Sequence, residues 1–478
     1  MPRCLTVLLL VLLPATRAAA QPGDFEAAFR PATLRIDFYH GGTAAEEFYI
    51  LDALREEPGW AGPPTAPASP FDRGRYQVRV EEAGSGRLLF ACGYDTVFGE
   101  WQTVPEAKER RRVFREAIAV PFPRHAVEVS IHIRERSGRR REACRWKVDP
   151  EDAGIRRDPP PGDLKRVVVL ENGPPARKVD LVVVAEGYTA EQMGRFEADA
   201  RRLLATFFSV SPFAERKADF NVTLVCAPSV QPGIDEPARG RFSRTAAEAS
   251  FHSFGLPRYV LVQDHVRLRD LVAGVPYDAL VVLVNSERYG GGGIYNWFLT
   301  VTAGNPWSPY VFVHEFGHAF AGLADEYYSS AVAYEDFYPA GVEPVAPNIT
   351  RLAGGSERGR LKWGDLVAED TPLPTPWPRE RYDALVAGQR KQVTAAREAG
   401  QTEEAVHALE ARLNAERRAF LVGLEGHGKV GAFEGGGYVA RGIYRPYLDC
   451  IMFSKALGPF CPVCRRELLR VIDHLSGR

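Results

Sequence analysis

Short runs in which apolar and polar residues alternate fill the chain from Ala32 to Val148. Clear examples are residues 33–39, 76–80 and 127–133. Because successive side chains of a strand point to opposite faces, this period of two predicts strands with one packed and one solvated face. We therefore expect an antiparallel β-sandwich of about 120 residues in this part of the chain.

The pattern changes after the proline-rich stretch 159–162, which we interpret as a linker. Residues 181–185 and 279–284 are unbroken apolar runs, and residues 222–226 are apolar apart from Thr223, as expected for strands that are buried on both faces. Thr189-Ala-Glu-Gln192 is a capping box that predicts the start of a helix. This order of strands and helices predicts an α/β layer with a largely parallel sheet.

Together these patterns predict a multidomain α+β fold. Residues 21–155 would form the N-terminal sandwich domain and residues 156–478 a second, larger domain. Within the second domain, residues 380–421 are rich in Ala, Glu, Arg and Leu, carry apolar residues at helical spacing and are interrupted at Gly400. They predict a helical hairpin, which is either a solvated insertion or a lid over a binding cleft.

The first twenty residues have the layout of a secretory signal peptide. Arg3 precedes the apolar run Leu5–Leu13, and three alanines at 18–20 follow it. The run is too short to span a bilayer, and no later stretch reaches the roughly 18 apolar residues of a membrane helix. We therefore expect residues 1–20 to be removed and the mature protein to be secreted or periplasmic, without a membrane span. The alternative is a buried N-terminal helix.

Composition and charge narrow the class of protein. The 478 residues include 60 Lys and Arg against 61 Asp and Glu, and 45 % are apolar. These values are typical of globular domains and exclude a disordered or collagenous chain. Because no basic excess exists, nothing in the charge favours binding to nucleic acid or to an anionic membrane.

Cysteines are the next candidates for chemistry. Without the signal peptide, six remain in the chain: Cys92, Cys144, Cys226, Cys450, Cys461 and Cys464. An even number in an oxidising compartment permits disulfides without determining their pairing. Cys461-Pro-Val-Cys464 has the spacing of a redox or zinc-knuckle pair, but no second pair of this spacing completes a tetrahedral site. We expect a structural disulfide between Cys450 and one member of this pair.

The strongest chemical signal is His314-Glu315-Phe-Gly-His318. Two histidines four residues apart lie on one face of a helix, close enough to share a zinc ion at about 2.0 to 2.1 Å per bond. Glu315 lies beside them, where its carboxylate could act on a zinc-activated water as general base and then as general acid. The alternative is a half-buried helix with two hydrogen-bonded histidines.

A catalytic zinc site needs a third protein ligand. If the helix continued, Asp325 would lie about 10 Å beyond His318, which is too far for one ion. Gly322 can adopt the left-handed conformation that ends a helix and would turn the chain back towards the metal. We favour Asp325 as the ligand because a short carboxylate after a tight turn is held more rigidly. Glu326 is the alternative ligand. If Asp325 binds the metal, Glu326 would instead be a structural acid that supports the ligands from behind.

The segment from His314 to Tyr328 resembles the signature of the IgA peptidase (M64) family of secreted, metzincin-like zinc metallopeptidases. Residues 182–190, 233–237, 433–446 and 460–464 also resemble family segments, and residues 98–102 are similar to the N-terminal domain of the family. The resemblance implies a β-rich domain followed by a metzincin-like α/β zinc-peptidase domain.

Residue by residue, the resemblance makes His314 and His318 zinc ligands and Glu315 the base. The sequence departs from ordinary metzincins, which have a glycine three residues after the second histidine and a third histidine three residues later. Here Ala321 and Ala324 occupy those positions. Of the site residues that the resemblance implies, the third ligand therefore has the weakest support.

Other site residues follow less directly. Met452 resembles the methionine turn that forms an apolar floor under the zinc ligands of metzincins, although methionine also serves as core filler. Tyr438 and Tyr444 could offer a phenol to the oxyanion or the metal, or could only pack. Phe298–Thr302 could be an edge strand that aligns a peptide substrate. The glycine-rich stretch 290–293 that precedes it could be only a flexible loop.

These observations predict a secreted endopeptidase with one catalytic Zn²⁺ that hydrolyses peptide bonds of extracellular proteins through metal-activated water. The alternatives are a catalytically inactive adhesin or carbohydrate-binding protein with a structural zinc, and a metal-dependent amidase acting on cell-wall links. The N-terminal domain could contact a glycan or a surface, inhibit the enzyme or act as a spacer. No residue pattern specifies the natural substrate or the oligomeric state.

Overall fold

The computed structural model describes residues 24–64, 68–158, 164–329, 332–334, 337–355 and 357–478. The predicted signal peptide, residues 1–20, and the predicted linker at 159–162 lie outside the described residues. The described part combines helices with several β-sheets, so the α+β class predicted from the sequence is confirmed.

The strands of the N-terminal region are β1 Phe29–Gly42, β2 Glu47–Pro58, β3 Tyr76–Glu82, β4 Leu88–Tyr94, β5 Arg112–Pro123, β6 Val127–Arg134 and β7 Arg140–Val148. Those of the C-terminal region are β8 Lys165–Leu170, β9 Val179–Glu186, β10 Phe220–Cys226, β11 Ala249–Ser250, β12 Leu261–Val262, β13 Ala279–Val284, β14 Gly291–Ile294, β15 Phe298–Thr302, β16 Phe433–Gly436 and β17 Val439–Arg445. The helices are α1 Asp24–Ala28, α2 Val97–Trp101, α3 Glu106–Glu109, α4 Met193–Phe207, α5 His265–Val272, α6 Ser308–Ala321, α7 Arg379–Glu398, α8 Glu403–Val422 and α9 Pro462–Ser476.

The N-terminal strands form two antiparallel sheets, in the orders β2-β1-β5 and β4-β3-β6-β7. The predicted alternation holds in β3, where Tyr76, Val78 and Val80 are buried and the residues between them are less so. In β1 the prediction of a solvated face is wrong, because both faces are buried. Arg35 is fully buried since helix α5 covers it: its guanidinium donates to the Val266 carbonyl at 3.2 Å.

One hydrophobic core joins the two N-terminal sheets to one face of the C-terminal sheet. The rings of Phe38 and Trp146, from different N-terminal sheets, have centroids 5.6 Å apart. Val182, Val184 and Val282 of strands β9 and β13 belong to the same core. The N-terminal region therefore packs directly against the sheet that carries the candidate site.

A buried histidine in this core lies between two carboxylates. His40 Nδ1 is 2.8 Å from Glu116 Oε2, and His40 Nε2 is 2.9 Å from Glu47 Oε2. Burial alone would lower the pKa of His40, but the two carboxylates outweigh it and raise the pKa above its ordinary value.

The main C-terminal sheet has the order β14-β15-β13-β9-β10-β8. Its four inner strands are parallel, and β8 and β14 are antiparallel edges, so the predicted largely parallel sheet is confirmed. The capping box formed by Thr189 and Gln192 is present before helix α4. Strand β15 is internal, however, and the predicted edge strand at Phe298–Thr302 is wrong: the glycine-rich residues form the edge strand β14 instead.

Helices cover the outer face of this sheet. Phe207 of α4 stacks on Phe312 of α6 with ring centroids 5.2 Å apart, and it meets Phe316 edge-to-face at 4.8 Å. The hairpin predicted over residues 380–421 is present as α7 and α8, joined through Gly400 at φ +69°. Within the described residues, we find no helix long and apolar enough to cross a membrane.

Candidate metal centre and active-site cleft

Helix α6 carries both histidines of the motif and ends where the sequence predicts. Val311, Phe312, Val313 and Phe316 are buried against the sheet and α4, which fixes the helix on its support. Gly322 follows with φ +58°, and its N–H donates to the His318 carbonyl at 2.9 Å. Because this left-handed residue ends the helix, the chain turns back and brings Asp325 towards the two imidazoles.

Three ligand atoms converge at the end of α6. His314 Nε2 lies 3.1 Å from His318 Nε2, and Asp325 Oδ1 lies 3.0 Å from the first and 3.3 Å from the second. The other ring nitrogen, Nδ1, is 3.0 Å from the Ile451 carbonyl in His314 and 2.6 Å from the Leu323 carbonyl in His318. Since a carbonyl only accepts, each Nδ1 carries a proton, and Nε2 is the ring nitrogen that faces Asp325 and that would bind a metal ion after losing its own proton.

The chemistry of these donors fits a zinc ion. Asp325 is only 4 % exposed, and its Oδ1 has no hydrogen-bond partner. Zinc bonds of 2.0 to 2.1 Å in tetrahedral geometry would place neighbouring ligand atoms about 3.3 Å apart, close to the separations found here. Two imidazoles and a carboxylate are a ligand set of catalytic zinc sites, which keep a fourth position open.

Electrostatics hold the carboxylate in its charged form. Burial opposes charge on both partners, but their mutual attraction raises the pKa of His318 to about 9 and lowers that of Asp325 well below its usual range. The Tyr438 hydroxyl also donates to Asp325 Oδ2 at 2.5 Å. Tyr438 therefore contacts the site by its hydrogen bond to Asp325.

Glu315 lies beside His314, His318 and Asp325, next to the edge strand β14. It is half-buried, and burial raises its pKa, although His314 and His318 partly oppose the shift. A Cβ added at Gly293 of β14 would lie 3.2 Å from Glu315 Oε2 and 2.5 Å from the Glu315 carbonyl oxygen. Only glycine therefore allows this strand to approach the helix so closely.

The structure brings Asp325, and not Glu326, to the two histidines. Glu326 points to the opposite side of the chain, where its Oε1 accepts from Asn348 Nδ2 at 3.0 Å. Met452 is fully buried. Its Sδ would lie 3.0 Å from a Cβ added at Gly317, so Met452 packs on α6 at the glycine that lies between His314 and His318 in the sequence. Its role under the metal stays a prediction.

Tyr444 lies apart from the ligand atoms. It pairs through its backbone with Thr350, at N–O distances of 2.8 and 3.0 Å, and is not among the described residues that line the cavity in front of Glu315.

That cavity has a volume of about 770 Å³ and lies between the N-terminal and C-terminal regions. Arg75, Asp95 and Glu100 of the N-terminal region line it together with the ligands and Glu315. The hydroxyl of Tyr259 donates to Glu100, and that of Tyr334 donates to the same oxygen at 3.1 Å. Burial raises the pKa of Glu100 to about 7.

The N-terminal region therefore forms one wall of the cleft, which sequence reasoning missed. The only available signal was the resemblance of residues 98–102 to a family segment. The described residues give no support to a glycan contact. None of those that line the cavity belongs to the α7–α8 hairpin, so its predicted role as a lid also finds no support.

Two protein-family models match the chain. The model described as IgA Peptidase M64 matches residues 167–472, which is more than half of the chain. The model described as Peptidase M64 N-terminus matches residues 24–145. No curated protein matches the chain.

Proposed function

The chain belongs to the IgA Peptidase M64 family, and from this premise we propose that it is a secreted zinc-dependent endopeptidase that cleaves extracellular proteins. We propose further that the two N-terminal sheets form a β-sandwich and that the C-terminal domain is metzincin-like. The observation that carries the proposal is the convergence of His314 Nε2, His318 Nε2 and Asp325 Oδ1 within 3.3 Å, with Glu315 beside them.

In this proposal His314, His318 and Asp325 hold one zinc ion. When bound, zinc supplies a Lewis acid that polarises a water molecule and the scissile carbonyl. Glu315 removes a proton from the attacking water and later delivers it to the nitrogen of the leaving amine. Its raised pKa suits this exchange, because a base is most efficient when its pKa approaches the working pH.

Tyr438 acts as a positioning residue rather than as the oxyanion donor. Its hydroxyl donates to Asp325 Oδ2, so its proton is already committed to the ligand. The carbonyls of Ile451 and Leu323 likewise orient the two imidazoles. Such partners of the ligands restrict their rotation and fix the tautomer.

The substrate in this proposal is an extended polypeptide that lies along strand β14. Gly293 of this edge strand lines the cavity beside Glu315, and an edge strand can pair with an extended peptide through backbone hydrogen bonds. The peptide would pair beyond Gly291, whose N–H and carbonyl already bond to Arg258 and Val260 at 3.3 Å. The wall formed by the N-terminal region would contact side chains of the same peptide. This role for the N-terminal region replaces that of a glycan-binding module.

The test compares Glu315→Gln with Glu287→Gln, a change at an exposed residue, in metal-loaded protein. Glu315→Gln should keep its zinc and lose cleavage of a quenched peptide library, whereas the control should keep both. Mapping of new chain ends in a protein mixture then identifies peptide bonds, or instead cell-wall amides, as the target. Full activity of Glu315→Gln would reject the mechanism. Metal without any turnover in the unmodified protein would favour the inactive binding protein.

A further inference from the structure

A second cluster of metal-ligating side chains lies on the far side of the Asp325–Glu326 peptide. It consists of Glu326, Cys450, Cys461 and Cys464, none of which is more than 3 % exposed. One ligand atom from each of the four lies within 4.8 Å of all the others. Glu326 Oε1 is 3.1 Å from Cys464 Sγ and 3.9 Å from Cys461 Sγ.

The cysteines of this cluster are free thiols. The six cysteines of the described residues are all unpaired, so the predicted disulfide from Cys450 is absent from the structure. A disulfide would also use only two of the three sulfurs. It would leave the third thiol buried beside the carboxylate of Glu326, whose Oε2 has no hydrogen-bond partner, which is a costly arrangement.

The carboxylate of Glu326 contacts the cysteines through Oε1, and its second oxygen has no hydrogen-bond partner. The residue is fully buried, Asn348 donates to Oε1, and Oε2 has no hydrogen-bond partner. The buried guanidinium of Arg445 is close enough to interact electrostatically with Glu326. However, its hydrogen bonds go to the carbonyls of Gly435 and Glu434, at 2.8 and 3.3 Å. A cation bound by this carboxylate would compensate its buried charge.

The backbone around the sulfurs favours thiolates. The N–H of Cys461 points to Cys450 Sγ at 3.3 Å, and the N–H of Cys464 points to Cys461 Sγ at 3.4 Å. Cys461 is also the N-cap of α9, a helix of 15 residues whose N-terminal dipole favours negative charge. Thiolates are the soft ligands that select zinc over calcium or magnesium.

We propose that Glu326, Cys450, Cys461 and Cys464 bind a structural zinc ion that is distinct from the catalytic one. Four protein ligands close the coordination sphere, as in structural zinc sites, and binding displaces the thiol protons to solvent. Zinc–sulfur bonds of about 2.3 Å place sulfurs roughly 3.8 Å apart in a tetrahedron, which small side-chain adjustments of this cluster can reach.

The position of this site explains what the ion would do. Glu326 directly follows Asp325, and Cys450 directly precedes Ile451, whose carbonyl orients His314 at 3.0 Å. The Glu326 N–H also donates to the Met452 carbonyl at 2.8 Å. A zinc ion here would fasten α9 to the two segments that position the catalytic ligands.

Cobalt spectroscopy separates the two sites, because only the second contains sulfur. Protein loaded with Co²⁺ should show a thiolate-to-cobalt charge-transfer band, and zinc-loaded protein should contain two ions per chain. His318→Ala should keep the band and lose one ion. Cys464→Ser and Glu326→Gln should each lose one ion; Cys464→Ser should also lose or strongly weaken the band. Cys92→Ser, outside the cluster, should change neither.

Thiol titration of the unmodified protein provides a test that needs no variant to fold. Of the six cysteines among the described residues, zinc should protect Cys450, Cys461 and Cys464 from a thiol reagent under denaturant-free conditions, and a chelator should increase their reactivity. If the thiol count is two short both with and without chelator, and a reductant restores it, the cluster contains a disulfide and the proposal is overturned. One ion per chain without a thiolate band would overturn it too, while leaving the catalytic centre of the proposed function untouched.

Discussion

Removal of the Tyr438 hydroxyl tests whether this tyrosine acts through the metal ligand or on the substrate. The Tyr438→Phe variant keeps the ring and deletes only the donor to Asp325 Oδ2, which lies 2.5 Å away. A hydrogen bond to a charged group contributes about 1.5 to 3 kcal/mol. Because the Asp325 carboxylate is 4 % exposed, water replaces the lost donor poorly, and we expect the upper half of this range.

The expected magnitude follows from that energy. If the hydroxyl holds Asp325 in its ligating orientation, about 2 to 3 kcal/mol corresponds to a Kd for zinc roughly 30 to 150 times higher. Substitutions of residues that orient ligands commonly weaken metal binding 10-fold to 100-fold, which agrees with this value. At saturating zinc, kcat should fall only a few-fold, because the ligand set itself is complete.

The assay is competition for zinc with a chelator of known affinity, followed by kcat and KM for one peptide at saturating zinc. Tyr444→Phe is the matched control, since Tyr444 is half-buried, pairs with Thr350 through its backbone and does not line the cleft. An unchanged Kd together with a kcat at least 100 times lower in Tyr438→Phe would refute the positioning role. That result would identify Tyr438 as the oxyanion donor.

Three further changes test the site and its support. Gly293→Ala should lower kcat/KM by about 100-fold with zinc content unchanged, because its Cβ would come within 2.5 Å of the Glu315 carbonyl oxygen. The control is Gly388→Ala, whose Cβ would meet nothing within 4 Å. Equal activity of the two variants would contradict the close approach of β14 to α6. Met452→Ala should lower the free energy of unfolding of zinc-loaded protein by about 2 to 5 kcal/mol in urea, since it empties a fully buried site, and a loss below 1 kcal/mol would argue against tight packing. His40→Gln should lower the free energy of unfolding more at pH 6 than at pH 9. The pKa of His40 is raised in the folded state, so its ion pairs stabilise the fold fully below the unfolded-state pKa near 6.5. This stabilisation disappears as the pH rises through the folded-state pKa. A pH-independent difference in unfolding free energy would contradict this linkage.

Much of the zinc helix could be predicted because its geometry is local. Residues four apart on a helix share a face, so the spacing of His314 and His318 already places their rings together. The left-handed turn at Gly322 is likewise a property of one residue and its neighbours. The same holds for the capping box before α4 and for the buried parallel strands, whose apolar runs are continuous in the sequence.

Predictions that depend on packing between distant segments were less successful. The predicted edge strand at Phe298–Thr302 is wrong because which strand a neighbour covers depends on pairing with the residues of β14, and the sequence of β15 contains no information on that pairing. The glycines of β14 fit a flexible loop equally well in the sequence, since the close approach that requires glycine arises only when the strand meets α6. The polar face of β1 was expected in water, but α5 covers it.

By itself, the sequence determined the α+β class, the helix with its pair of histidines and adjacent acid, the turn after it and the family. Tertiary structure decided which acid faces the histidines, what holds it, and which wall closes the cleft. Asp325 meets Tyr438 across 113 residues, and His314 meets the Ile451 carbonyl across 137. Backbone geometry dictates contacts within a helical turn, whereas contacts across such distances exist only after the core has packed.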